Sequence, residues 1–370
     1  MSPVYCVTYV PGLDPSHPSP HEGARGARCS GVIARAGVLL QQAASWRHLL
    51  HWTACVCGAR FERPFQGDAP AVKNTVFIHT NAKQMVGAIV GRHSLKRTSA
   101  DPDSFDVRIA SREDFAFFDA FEGRKFLRAG TWRAWENADL QSFTPVRFTP
   151  PKLMDYQGRA IVIDPDVFAV GDVNELFRRD MDGKAILARP RPGHNNRDDY
   201  IASSVMLLDC ARLTHWDVEA QFEKMFAGEL DYEDWNILAA EPRGTVGFLE
   251  NHWNDFDRLT PETRMLHNTK RRTQPWKTGL PIDFTNRLPW VGKILPTASI
   301  RWPGRYKAHP DPRQEAFFFA MLKECVEAGE IGTADIEREM SLNHMRHDAL
   351  KVLDRCPSVD EVLGQVRAAA

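Results

Sequence analysis

The sequence predicts an α/β fold: a mostly parallel sheet flanked by helices, with a C-terminal helical appendage. Three observations point to it. Short, wholly apolar stretches, such as TVFI within NTVFIHTN and AIVI before IDPD, read as strands covered on both faces. Segments with helical spacing alternate with those strands, which calls for crossover connections and parallel neighbours. From Gln314 onward only helix patterns occur.

Taken in order, residues 1–72 hold six arginines and no lysine, with many Pro, Gly, Ala, His and Cys and no sustained periodicity. We expect a poorly structured extension, with a helical prefix around GVLLQQAASWRHLLHW as the alternative. His48, His51, Cys55 and Cys57 can be drawn as a zinc site, but C-x-C spacing suits a structural tetrahedral cage poorly. Regularity begins at Lys73. NTVFIHTN reads as a buried strand, AKQMVGAIVGRHSLKR as an amphipathic helix, FDVRIAS as a second strand and REDFAFFDAF as a short helix. PPKLMDYQ is a helix opened by proline, and AIVI the next strand. KAILARP and YIASSVMLLDC give two more strands, and HWDVEAQFEKMF a helix. Residues 73–285 are therefore the domain expected to hold any chemistry. Residues 286–370 comprise an irregular connection, NRLPWVGKILPTASIRWPGRY, and helices that pack on that domain, the last opened by a Ser358 to Glu361 capping box.

Composition narrows the function. With 47 basic and 48 acidic residues in 370, the chain has no global field to draw it onto nucleic acid or an anionic membrane. Any anion site must be local. No apolar run approaches the roughly 20 residues of a membrane span, and no secretory leader is visible, so we expect a cytoplasmic protein. The seven cysteines are odd in number, and Cys210, Cys325 and Cys356 fit reduced thiols.

RAIVIDPDVFAVGDV carries two aspartates at i and i+2, which an extended chain points the same way. Pro165 between them cannot donate to a sheet ladder, so Asp164 and Asp166 stand just past the pairing region, at the carboxyl edge where open α/β sheets bind ligands. Hard divalent cations take oxygen ligands and keep positions open for phosphate oxygens. The simplest role for the pair is a metal bound to a diphosphate, although D-x-D also recurs on surfaces by chance.

The context of these residues resembles the retaining family 8 glycosyltransferases and their GT-A-fold relatives. TVFIHTNAKQMVGAIVGRHSL is similar to that family's first nucleotide-binding unit, and IVIDPDVFAVGDVNELF to its strand, D-x-D and following helix start. SSVMLLDCARLTHW, YEDWNIL and MLHNTKRRTQPWKTG follow in the family's order, and the resemblance spans residues 74 to about 280. Departures occur: Ser203 and Ser204 replace an Asn-Ser pair, Trp235 stands where glutamine is usual, and Gln274 replaces a lysine.

The resemblance implies a GT-A-like fold and transfer of a sugar from a nucleotide-diphosphate donor, a UDP-sugar, to an acceptor hydroxyl on a glycan, lipid-linked sugar or protein, with retention. His267 is then the third metal ligand beside Asp164 and Asp166, and an imidazole favours Mn2+ over Mg2+; a satisfied core histidine is the plainer alternative. Thr80 and Asn81 would lie near the nucleoside. Lys270, Arg271, Arg272 and Lys277 could neutralise the diphosphate, or form a solvated basic loop. Asp234 would stand close to the reacting sugar, or cap a helix. Asn196, Arg197, Asp198 and Asp199, in the loop RPRPGHNNRDDY, would touch the donor sugar and supply the second catalytic candidate, Asp199, or form a salt-bridged surface loop. Asp209 reads as a structural strand-end residue. One rival is a sugar-1-phosphate nucleotidyltransferase, against which the single glycine of HTNAKQMVGA counts, since a triphosphate needs a glycine-rich cradle. The other is a non-catalytic module binding RNA or a protein.

Overall fold

β1 (Thr75–Thr80) is buried along its whole length, as its apolar run requires. A single 3-10 turn leads from it into α1 (Met85–Thr98), which returns the chain to β2 (Asp106–Ser111), parallel to β1 with Thr75 opposite Asp106. β5 (Arg159–Ile163) lies parallel on the other side of β1. Between β2 and β5 the chain forms 3-10 turns, a hairpin of β3 (Lys125–Arg128) and β4 (Thr131–Ala134), and the short α2 (Pro150–Leu153). The six-stranded sheet continues through β8 (Tyr200–Asp209) and β7 (Ile186–Arg191) to β9 (Val246–Phe248), in the order β2-β1-β5-β8-β7-β9.

This α/β sheet is mostly parallel, but mixed, because β8 runs antiparallel to both its neighbours. The reversal matters for the site. It brings the start of β8, with Ser203 and Ser204, beside the end of β5: Ile163 pairs with Val205, and the Asp164 amide donates to the Ser204 carbonyl at 3.0 Å. Asp209 pairs with Arg159 at the opposite edge.

After β5 the chain leaves this sheet. β6 (Val167–Ala169) pairs antiparallel with β11 (Met265–His267), which pairs in turn with β10 (Asp255–Phe256). His267 stands opposite Val167, one residue from Asp166. α1 lies close against this crossover only because Gly87 has no side chain. A Cβ there would sit 2.3 Å from the Pro165 carbonyl oxygen, and one at Gly91 would sit 3.2 Å from that of Val167.

The remaining helices are α3 (Asn174–Phe177), α4 (Val218–Ala227), α5 (Tyr232–Asn236), α6 (Pro312–Glu327), α7 (Thr333–Ser341), α8 (Ala349–Arg355) and α9 (Val359–Ala368). Asp217 caps the start of α4, and Gly228 ends it at φ 78°. The α9 capping box forms as its sequence predicts. α6 packs on α1 and β6 through Phe317, Phe318 and Phe319, all fully buried. Each such ring contributes about 1.5–3 kcal/mol relative to exposure. Trp276 stacks on Phe318 with centroids 4.8 Å apart, tying the segment after His267 to the C-terminal helices.

The computed structural model describes residues 72–193, 200–242, 244–284 and 304–369, all within one unit, Gly67–Ala370. The N-terminal extension with His48, His51, Cys55 and Cys57, the loop residues Asn196, Arg197, Asp198 and Asp199, and residues 285–303 of the connection lie outside the described residues. No helix among the described residues is long and apolar enough to cross a membrane.

Candidate active site

Asp164, Asp166 and His267 converge. One ligand atom from each lies within 4.8 Å of the others, at the carboxyl end of β5. Asp166 Oδ1 is 3.2 Å from His267 Nε2, and its other oxygen accepts from Gln274 Nε2 at 3.1 Å. Asp164 Oδ1 is held by His79 Nε2 and Arg147 Nη2, both at 2.7 Å.

Arg147 is buried and fully committed. Its Nη1 donates to Ser203 Oγ at 2.6 Å and to Asn236 Oδ1 at 2.9 Å, so one guanidinium ties β8 and α5 to the Asp164 carboxylate. Burial works to raise the Asp164 pKa, but Arg147 and His79, with His267 adding to them, outweigh it and hold the carboxyl well below its usual range. Burial also lowers the pKa of His79, with Asp164 opposing. Its Nδ1 has no hydrogen-bond partner among the described residues.

The orientation of His267 is set from behind. Its Nδ1 lies 2.8 Å from Asn254 Oδ1, while the Asn254 amide nitrogen donates to Ser204 Oγ at 2.9 Å. The Asn254 oxygen can only accept, so the Nδ1 proton points at it, and Nε2 turns toward the two carboxylates. A lone pair facing two anions is unfavourable unless a second proton or a cation lies between. Burial would lower the His267 pKa, yet Asp166 and Asp164 outweigh it and raise it. The donor set is therefore two hard carboxylates and one imidazole with a fixed tautomer, carrying one negative charge beyond what Arg147 neutralises. It fits a divalent cation of the Mn2+ or Mg2+ type.

The cluster lines a polar cavity of about 280 Å³. Arg128, Arg191 and Arg271 line it, with Gln274, Tyr232, Glu233 and Asn236 completing much of the wall. Arg128 pairs with Glu233 at 3.2 Å. Burial, with Arg128 adding to it, lowers the Arg271 pKa, and Asp139 opposes. A second cavity of about 230 Å³, with the rings of Phe126, Trp135, Tyr232 and Phe284, shares Arg128 and Arg271 with the first.

Several expected residues stand elsewhere. Asp234 is exposed and does not line the cavity; its neighbours Tyr232, Glu233 and Asn236 do, since α5 presents i, i+1 and i+4 on that face. Lys270 is exposed and contributes no side chain to the cavity, whereas adjacent Arg271 points in. Lys277 is fully buried and bound to Asp283 at 2.6 Å, with burial lowering its pKa against that carboxylate's pull. Thr80 donates to the Asn81 carbonyl, and Asn81 Nδ2 to the Leu140 carbonyl and Ser142 Oγ, while Asn81 Oδ1 is buried with no hydrogen-bond partner among the described residues. Trp235 is buried on Phe148 with centroids 3.9 Å apart.

Residue-by-residue sequence reading missed His79, Arg147, Asn254 and Glu233. Arg147 had a signal: it is the one charge in the apolar, proline-flanked run FTPVRFTPP, and a charge buried there needs a partner.

No protein-family model matches the chain, and no curated protein matches it. Among solved structures it is similar to the galactosyltransferase LgtC in complex with donor and acceptor sugar analogs, at 15% identity and TM-score 0.37, over 55% of this chain and 89% of that one. It is similar to the glycosyltransferase GlyE of Streptococcus pneumoniae TIGR4 at 15% identity and TM-score 0.40, over 70% of this chain and 64% of that one. Mouse xyloside xylosyltransferase 1 aligns at 13% identity and TM-score 0.35, over 53% of this chain and 97% of that one.

Proposed function

We propose that this chain is a metal-dependent glycosyltransferase, moving a sugar from a nucleotide-diphosphate donor, a UDP-sugar, to an acceptor hydroxyl. The observation that carries the reading is the convergence of Asp164, Asp166 and His267 on the wall of a cationic, polar cavity. Asp164, Asp166 and His267 would hold Mn2+ or Mg2+, which supplies Lewis-acid neutralisation of a diphosphate leaving group when bound.

The chain's own groups do the rest. Arg147 and His79 keep Asp164 ionised and fixed, and Asn254 keeps the His267 Nε2 lone pair turned inward. Gln274 holds the second oxygen of Asp166 with a neutral amide, which orients it without consuming its charge. Arg128 and Arg271 offer guanidiniums to the departing diphosphate, where negative charge develops during transfer. The aromatic cavity across those two arginines is where the nucleoside would stack. Retention of configuration is taken from the family 8 resemblance of the sequence.

The test is thermal unfolding with UDP and MnCl2, singly and together, followed by hydrolysis of a UDP-sugar panel. Joint stabilisation that Asp166→Ala abolishes supports the proposal; a folded protein indifferent to nucleotide and metal contradicts it.

A further inference from the structure

At the rim of the cavity that holds the candidate metal ligands, two arginines crowd around one aromatic ring. The Arg189 guanidinium lies 4.0 Å from the Phe256 ring centroid and that of Arg191 4.8 Å from it, while Arg191 also lies 5.6 Å from the Tyr200 ring. Phe256 pairs with His267 in the β10–β11 register, with ring centroids 5.6 Å apart, so the rim is one ring away from the candidate metal ligand. Arg191, Tyr200 and Phe256 line the cavity itself.

Arg189 Nη1 donates to the Asn254 and Asn251 carbonyls, and neither Arg189 nor Arg191 has a carboxylate within ion-pair distance among the described residues. Burial lowers the Arg189 pKa, and Arg191 and Arg258 add to that effect. Asp255 opposes it from beyond ion-pair distance, and its carboxylate is engaged by Thr263 Oγ1 at 2.8 Å. Among the described residues Arg191 has no carboxylate within ion-pair distance and is held only by the two ring faces. Stacking on a ring fixes the plane of a guanidinium while leaving its N–H edge open, which is how a carboxylate or phosphate is gripped by two parallel hydrogen bonds. Arg128 and Arg271 already serve the side that opens to the aromatic cavity. Arg191 lines the first cavity and not the second, so it is available to a different part of a bound ligand.

We propose that this rim is a subsite for a negatively charged sugar, with Arg191 binding a carboxylate or phosphate carried by the donor's transferred residue or by the acceptor. This deepens the transferase reading and rests on it for the nucleotide alone. Two titrations separate the sources. With Mn2+ and saturating UDP, methyl glucuronide and glucose 6-phosphate are compared with methyl glucoside; with Mn2+ alone, UDP-glucuronate is compared with UDP-glucose. The expected result is about tenfold tighter binding of the charged member in one series, as one charge-assisted pair gives. Arg191→Gln should erase the preference, Arg191→Lys should restore part of it, and neither should change UDP affinity. Equal affinity of charged and neutral members in both series overturns the proposal, as does an Arg191→Gln variant that weakens UDP equally. Failure of UDP to bind would sink the transferase reading by itself; the methyl glycosides without nucleotide would then score the charge preference with the same two outcomes.

Discussion

Asn254 accepts the Nδ1 proton of His267 at 2.8 Å, and that bond decides which imidazole nitrogen faces Asp164 and Asp166. Asn254→Leu removes the acceptor and frees the ring to rotate or change tautomer. Loss of such a supporting partner typically costs 10–100-fold in metal affinity. Isothermal titration with MnCl2 should show about that loss while the far-UV spectrum is unchanged.

Arg147 donates to Asp164 from one edge and to Ser203 and Asn236 from another. Arg147→Met leaves a carboxylate that is 15% exposed without its cation. Removing one partner of a buried pair costs about 3–5 kcal/mol, and partial exposure places this case near the lower end. A cation has more charge to neutralise in the variant, so MnCl2 should raise its Tm more than that of the wild type. Urea melts with EDTA or MnCl2 check both signs.

Gly87 faces the Pro165 carbonyl so closely that a methyl group cannot enter. Gly87→Ala should push α1 away from the two aspartates, at the roughly 1–3 kcal/mol typical of overpacking. Chemical denaturation measures the cost, and weaker Mn2+ binding in the still-folded variant measures the displacement. A stabilised variant, as helix propensity alone predicts, would contradict the close approach.

The C-terminal helices dock on α1 through ions as well as rings. Glu330 accepts from Arg92 at 2.9 Å and lies 2.7 Å from His93 Nδ1. Burial raises its pKa, but His93 and Arg92 outweigh it, so the folded value is lowered. Its stability contribution is present above the unfolded carboxyl pKa and lost as pH falls through the folded one. Glu330→Gln should therefore cost about 1 kcal/mol or less near neutrality, with the difference from wild type shrinking in acid. Urea midpoints across the acid range test this.

The long buried strands were legible because β1, β5 and β8 carry unbroken apolar runs. Asp164 and Asp166 were legible from two-residue periodicity and the intervening proline. The β6–β11 pairing was not, since three residues carry no usable period, so the place of His267 came from resemblance alone. The β3–β4 hairpin lacks an Asn-Gly or Asp-Gly signal: it turns through Ala129 at φ 49° and Gly130 at φ 67°, whose amides donate to the distant Asp231 carboxylate. In α5 and in the KRR run, adjacent residues can differ in whether they reach the cavity: Glu233 and Arg271 line it, and Asp234 and Lys270 do not. Sequence alone could not tell which of Glu233 and Asp234, or of Arg271 and Lys270, would line the cavity.

The most direct measurement is the Tm of wild type and Asp166→Ala with UDP, MnCl2, both or neither. At about a hundred times the dissociation constant, binding adds ~2.7 kcal/mol of stability. UDP should stabilise the wild type strongly only when Mn2+ is present, and the variant not at all. Equal stabilisation by UDP with and without the metal, or in the variant, would contradict a cation seated among Asp164, Asp166 and His267.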